Sequence, residues 1–156
     1  MLSETSLKAI AREVAKYPVD RKQAAVMAAL RIGQEEKGWL SDELIAYIAK
    51  HLELQPIQVL EVATFYTMYD LEPVGRHKVS LCTNISCMLR GSDEILMHVK
   101  EKLGIEVGET TADGRFTLKE VECLAACGGA PMMQVGEEYY ENLTPERVDV
   151  ILDGLE

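Results

Sequence analysis

The rhythm of apolar positions changes part-way along the chain. Up to about residue 70 the period is helical. Leu7, Ile10 and Val14 recur on one face of a first helix, which Tyr17 should end because the proline after it disfavours helical geometry there. A second helix is expected from about Arg21 to Glu36, apolar almost all round between Ala24 and Ile32 and therefore central, with Gly38 stopping it. Ser41 is a good N-cap for a third, with Asp42 and Glu43 in its first turn and Leu44, Ile48 and Leu52 on its buried face. Pro56 suits the first turn of a fourth, which runs through Tyr66. These four helices should make a small bundle.

Pro73 and Gly75 interrupt the period and mark a connection, after which strands appear. His77 to Cys82 alternates polar and apolar, a strand that delivers Cys82 to its end. Ser92, Asp93 and Glu94 should cap a helix whose Ile95, Val99 and Leu103 share a face, with Gly104 just past it. Asp113 and Gly114 signal a turn, and Phe116 to Val121 should be a second strand leading to Cys123. Met132 to Val135 and Glu138 to Tyr140, joined around Gly136, predict a hairpin. Thr144 and Pro145 then open a last helix carrying Val148, Ile151, Leu152 and Leu155 as its apolar stripe.

Composition adds boundaries. With 156 residues, the chain can bury a core without disulfide staples, as one domain or two small ones. A formal net charge of -10 leaves no basic stripe to displace counterions from phosphate, which argues against a nucleic-acid partner. The opening residues are polar and acidic, unlike a signal peptide, and no apolar run is long enough to span a bilayer, so no direct membrane insertion is expected. A reducing cytoplasm is the expected compartment, with little place for structural disulfides.

The candidate chemistry lies in the four cysteines, Cys82, Cys87, Cys123 and Cys127, spaced as Cys-x4-Cys and, much later, Cys-x3-Cys. Paired thiolates suggest one four-sulfur site, with three readings open: an iron-sulfur cluster, a structural zinc, or a redox dithiol. Both loops are uncharged between their cysteines, and Ala125, Ala126, Gly128 and Gly129 would let main-chain amides approach an anionic [2Fe-2S] core. A thioredoxin-like dithiol would normally carry Cys-x2-Cys, which is narrower than either pair. His51, His77 and His98 lie outside the pairs, whereas a Rieske-type site would set histidine beside its cysteines. Met88, Met132 and Met133 are expected to shield the site. Glu137 and Glu138 read as solvated charges and Trp39 as packing.

The order strand, helix, strand, hairpin, helix, with Pro131 directly before the hairpin, resembles a thioredoxin-like fold. Four segments carry a closer likeness: Glu61 to Tyr66, Cys82-Thr-Asn-x-x-Cys87-x-Leu-Arg-Gly91, Val121-Glu-Cys-Leu-x-Ala-Cys127-x-x-Ala-Pro131, and Tyr140-x-x-Leu-Thr144. Together they resemble the thioredoxin-like [2Fe-2S] subunits of bacterial NADH:quinone oxidoreductase, respiratory complex I, over nearly the whole chain. The expected architecture is α+β, a four-helix bundle at 1–75 serving partner docking and a thioredoxin-like α/β [2Fe-2S] ferredoxin domain at 76–156.

The resemblance implies one binuclear cluster on Cys82, Cys87, Cys123 and Cys127. It also implies electron transfer as the function, with FMN and NADH held only by a flavin-containing, NADH-oxidising partner. That heterodimer would belong to a larger respiratory complex, on the cytoplasmic side of its membrane. Diaphorase components of NAD-linked hydrogenases and formate dehydrogenases share the subunit type. No Gly-rich dinucleotide fingerprint is present in this chain. Two departures stand out: Ala125 where the family usually has glycine, placing a methyl near the cluster, and Gly136 where asparagine is common.

Overall fold

The computed structural model describes residues 1–155. They form two compact units, Met1–Pro73 and Val74–Glu156.

The first unit is helical: α1 (Glu4–Val14), α2 (Val26–Lys37), α3 (Asp42–Leu52) and α4 (Pro56–Phe65). Ser3 starts α1 by accepting the Ser6 N–H at 3.2 Å, and Ser41 starts α3 by accepting that of Leu44 at 3.2 Å. Ile10, Leu30, Ile48, Leu52 and Val59, one or two from each helix, fill a fully buried core. The expected second helix is shorter at its front than its apolar run suggests. Val19–Ala25 is a 3-10 segment in which Arg21 leaves helical geometry at φ -122, and regular helix begins only at Val26. Ala25 and Val26 turn into the core while Ala24 and Met27 face solvent, so the apolar run is not buried all round. After α4 the chain is pinned back to α2. The Gln34 side chain accepts the Asp70 N–H at 2.7 Å and donates to the Met68 carbonyl at 3.0 Å, and the Tyr69 hydroxyl donates to the Met27 carbonyl at 2.8 Å.

One contact here is pH-sensitive. The Glu36 carboxylate, near the end of α2, accepts the Ser3 N–H at 2.9 Å and the Ser3 hydroxyl at 2.8 Å. Lys37, and after it Ser6 and Ser3, hold this carboxyl well below its ordinary 4.5, at about 2. A carboxyl depressed on folding contributes stability that is complete above its unfolded value and is lost as pH falls through the folded one. The start of α1 should therefore stay attached down to the ordinary carboxylate range and loosen as pH drops towards 2. Protection of the Ser3 to Leu7 amides, taken relative to intrinsic exchange at each pH, should fall over that window in the native chain and show no such step in Glu36→Gln. The same acid step in the variant would contradict the assignment.

The second unit holds a four-stranded sheet, β1 (His77–Cys82), β2 (Phe116–Val121), β3 (Met133–Val135) and β4 (Glu138–Tyr140), in the order β2-β1-β3-β4. β1 and β2 run parallel, which requires a crossover; α5 (Ile85–Met88) and α6 (Ser92–Leu103) provide it. β3 lies antiparallel to β1 and pairs with β4 through the hairpin at Gly136. Val79 and Leu81, Phe116 and Leu118, and Met133 and Val135 alternate onto a common core with Ile95 and Val99 of α6. Val148 and Leu152 of α7 (Pro145–Gly154) complete it, and the Thr144 hydroxyl caps that helix by accepting the Arg147 N–H.

The start of α6 differs from expectation. Gly91, at φ 91, occupies the cap position, and Ser92 lies inside the helix with its hydroxyl buried and without a partner. Among the described residues no helix is long and apolar enough to cross a membrane.

Candidate metal centre

The parallel pairing of β1 with β2 builds the site. In its register Cys82 stands opposite Val121, so the last residue of β1 and the segment leading into Cys123 finish at the same end of the sheet. β3 starts from that end as well, since its first residue, Met133, pairs with Leu81. The Cys127 loop therefore returns to where the other two segments stop. Backbone bonds tie the three together: the Cys82 N–H donates to the Met132 carbonyl at 3.2 Å and the Thr83 N–H to the Val121 carbonyl at 3.1 Å.

Cys87 is placed by a short helix that periodicity is too coarse to predict. Asn84 is extended and its side chain accepts the Ile85 N–H at 2.7 Å, opening α5, on which Cys87 is buried. The available signal was Asn84 itself, a strong N-cap residue between the two cysteines. Cys82 and Cys87 are 3% and 2% exposed and share an apolar pocket with Ala130 and Met132. Burial pushes the Cys87 thiol up to about 11; the adjoining Cys82 adds to the rise and Cys127 contributes further. The Cys82 thiol points to the Glu122 carbonyl at 3.8 Å, next to Cys123.

Cys123 and Cys127 are different. Both are exposed, on a loop that leaves β2 and closes in a 3-10 turn at Cys127–Gly129. The Ala125 N–H donates to Cys123 Sγ at 3.3 Å. Gly129 is required by close approach, since a Cβ there would run into the Glu141 side chain. Asn142 and Leu143 fasten the same loop from below, donating to the carbonyls of Gly129 at 2.6 Å and Pro131 at 3.0 Å.

All four cysteines are free thiols. Cys82 and Cys127 both lie close enough to Cys87 to act on its thiol. Among the described residues no group of three or more His, Cys, Asp or Glu side chains is arranged to hold a metal ion without rearrangement. The donor chemistry nonetheless suits a [2Fe-2S] group: four sulfurs on the end of β1, on α5 and on the loop after β2, small residues in that loop, and an amide already directed at one sulfur.

The remaining candidates fall elsewhere. His77 opens β1, at the end opposite Cys82, and His98 pairs with Asp149 at 2.8 Å. His51 is exposed on α3 of the helical unit. Of the three methionines expected to shield the site, Met132 packs with the buried cysteines, whereas Met133 belongs to the sheet core and Met88 is half exposed. Glu137 and Glu138 are exposed, and Trp39 is half-buried.

The family profile described as thioredoxin-like [2Fe-2S] ferredoxin matches residues 10–156. The chain belongs to this family. It is 46% identical over 143 residues to the NADH-quinone oxidoreductase E-subunit of Rickettsia bellii, covering 91% of this chain and 86% of that one. It is 47% identical over 150 residues to the second such E-subunit of Rhizobium meliloti, covering 96% and 88%. An NAD+-reducing [NiFe]-hydrogenase chain solved in its H2-reduced state superposes with a TM-score of 0.70 at 19% identity, over 81% of this chain and 22% of that longer one, a likeness of fold. The second unit thus has the thioredoxin-like ferredoxin fold of its family.

The backbone gives the two expected departures a physical meaning. Ala125 sits at φ 60 and Gly136 at φ 60. Glycine and asparagine reach that left-handed region readily, whereas for alanine it costs about 1–2 kcal/mol. Ala125→Gly should relieve most of that cost, less the extra freedom glycine gains in the unfolded chain, for a net stabilisation of about 0.5–1 kcal/mol. Denaturant unfolding of the reduced, cluster-free chain should show a higher midpoint; a lower one would contradict the strain at Ala125.

Proposed function

We propose that this chain is the [2Fe-2S] electron-transfer subunit of an NADH-quinone oxidoreductase, with Cys82, Cys87, Cys123 and Cys127 as the cluster's four ligands. The observation that carries the reading is the convergence of both cysteine loops at one end of the sheet, in a chain 46% identical to an NADH-quinone oxidoreductase E-subunit over most of its length. When bound there, the cluster supplies one-electron exchange. The chain's own residues give up four thiol protons to make the ligands. Met132, Ala130 and the walls of β1 and β3 keep water from the inner pair. Small residues in the outer loop leave room for amide donors, of which Ala125 is the first. E-subunit relatives matching over nine-tenths of the chain favour this assembly over a hydrogenase or formate dehydrogenase diaphorase.

A one-electron centre cannot readily take hydride from NADH, so a flavin must stand between them. We place that flavin, with the NADH site, on a partner subunit that forms a heterodimer with this chain on the cytoplasmic side of a larger respiratory complex. The helical N-terminal bundle, which carries no cysteine, is the docking element. Its outer surface supports this: Ile57, Phe65 and Met68, on α4 and just beyond, are 63%, 76% and 54% exposed. Exposed apolar groups gathered along one short segment are characteristic of a covered face. NADH added anaerobically to the purified chain alone should leave its cluster oxidised, and NADH added after the flavin subunit should reduce it. Reduction without the partner, or separate elution of the two chains with cofactors intact, would refute the assignment.

A further inference from the structure

The two cysteine pairs differ in access, and this difference dictates an order. Cys82 and Cys87 are 3% and 2% exposed, one locked in the β1 ladder and the other on α5. Cys123 and Cys127 are both exposed, and Ala125 and Gly128 beside them are exposed too. An incoming thiolate can replace a donor's ligand only where it can reach the iron, so exchange depends on access. A cluster still carrying its donor's ligands is too bulky to meet a thiol enclosed by Ala130 and Met132.

Resting on the four-ligand reading above, we infer that the Cys123–Cys127 loop is the port at which a pre-formed cluster is received from a thiolate-ligated [2Fe-2S] donor, Cys82 and Cys87 completing the coordination second. Two iron–sulfur bonds to donor thiolates break as two form to Cys123 and Cys127, and the protons lost by these cysteines leave on the departing thiolates. The second pair repeats the exchange from within the pocket. Both irons stay ferric throughout, so neither oxidant nor reductant is consumed. The intermediate carries two ligands from the chain and two from the donor.

The probe is the [2Fe-2S] complex of glutathione, mixed anaerobically with the full-length, cluster-free chain and followed by visible circular dichroism. Cys123→Ser/Cys127→Ser should slow the second-order transfer phase at least about a hundredfold, whereas Cys82→Ser/Cys87→Ser should retain that phase within about threefold. The latter product should be labile and keep two glutathiones, as native mass spectrometry would show. Equal slowing by both variants, or slowing by the inner pair alone, would overturn the order. Because serine in the buried pocket can disturb folding, the native chain provides an independent readout. Brief iodoacetamide treatment with peptide mapping should label Cys123 and Cys127 at least about tenfold faster than Cys82 and Cys87. Uniform or inverted labelling would overturn the inference while leaving the ligand set intact. Failure of the native chain to acquire any cluster chromophore would overturn both.

Discussion

Changing any one of Cys82, Cys87, Cys123 and Cys127 to alanine is expected to abolish the visible chromophore or reduce its lifetime severely. A missing thiolate leaves iron open to water and ligand exchange, so any cluster that forms is short-lived. The inner positions should cost the fold as well as the cluster. Cys82 closes β1 opposite Val121 and packs with Cys87 against Met132, so truncation there leaves a small void in a filled pocket. The outer positions are exposed, so Cys123→Ala and Cys127→Ala should unfold at close to the native denaturant midpoint once cluster is absent from all samples. Absorbance and iron content per chain, measured beside denaturant unfolding, separate the two effects. Full iron content in any one of the four variants would remove that residue from the ligand set.

The second large effect concerns partner binding. Ile57→Asp and Phe65→Asp place charge on two of the most exposed apolar positions of α4, 63% and 76% accessible, and should leave the helical core intact. Each is expected to weaken binding of the proposed flavin subunit by at least about tenfold, roughly 1.4 kcal/mol, with the double variant weaker still. The cluster spectrum should be unchanged, because every candidate ligand lies in the Val74–Glu156 unit. Affinity equal to the native chain's in the double variant would disprove docking through this face.

Much of the framework can be read from residue order, for identifiable reasons. β1 and β2 announce themselves by alternation, and Ser41, Pro56, Thr144 and Pro145 mark their helices because capping chemistry is local. Where local signals compete, reading fails. Ser92 is a better cap residue than Gly91 in composition, but the left-handed turn at Gly91 takes the position and draws Ser92 inside. An apolar run from Ala24 to Ile32 cannot disclose that its front winds as a 3-10 segment and turns two of its members outward. Four residues of α5 are too few to establish a period.

The cysteines mark the candidate centre by type and spacing alone. Their unequal burial has no counterpart in sequence, since it depends on long-range pairing: β1 parallel to β2, and β3 returning antiparallel beside them. Ala125 is an intermediate case. Only its likeness to a glycine position marked it beforehand, and only the backbone, at φ 60, explains why glycine suits that place.

Whether this chain holds one [2Fe-2S] cluster is decided by metal and sulfide analysis of the anaerobically purified protein combined with electron paramagnetic resonance. The protein should be reddish-brown, with iron and acid-labile sulfide in equal amounts, no paramagnetic signal as isolated, and one appearing on reduction. A colourless protein containing zinc and no labile sulfide would contradict the cluster assignment.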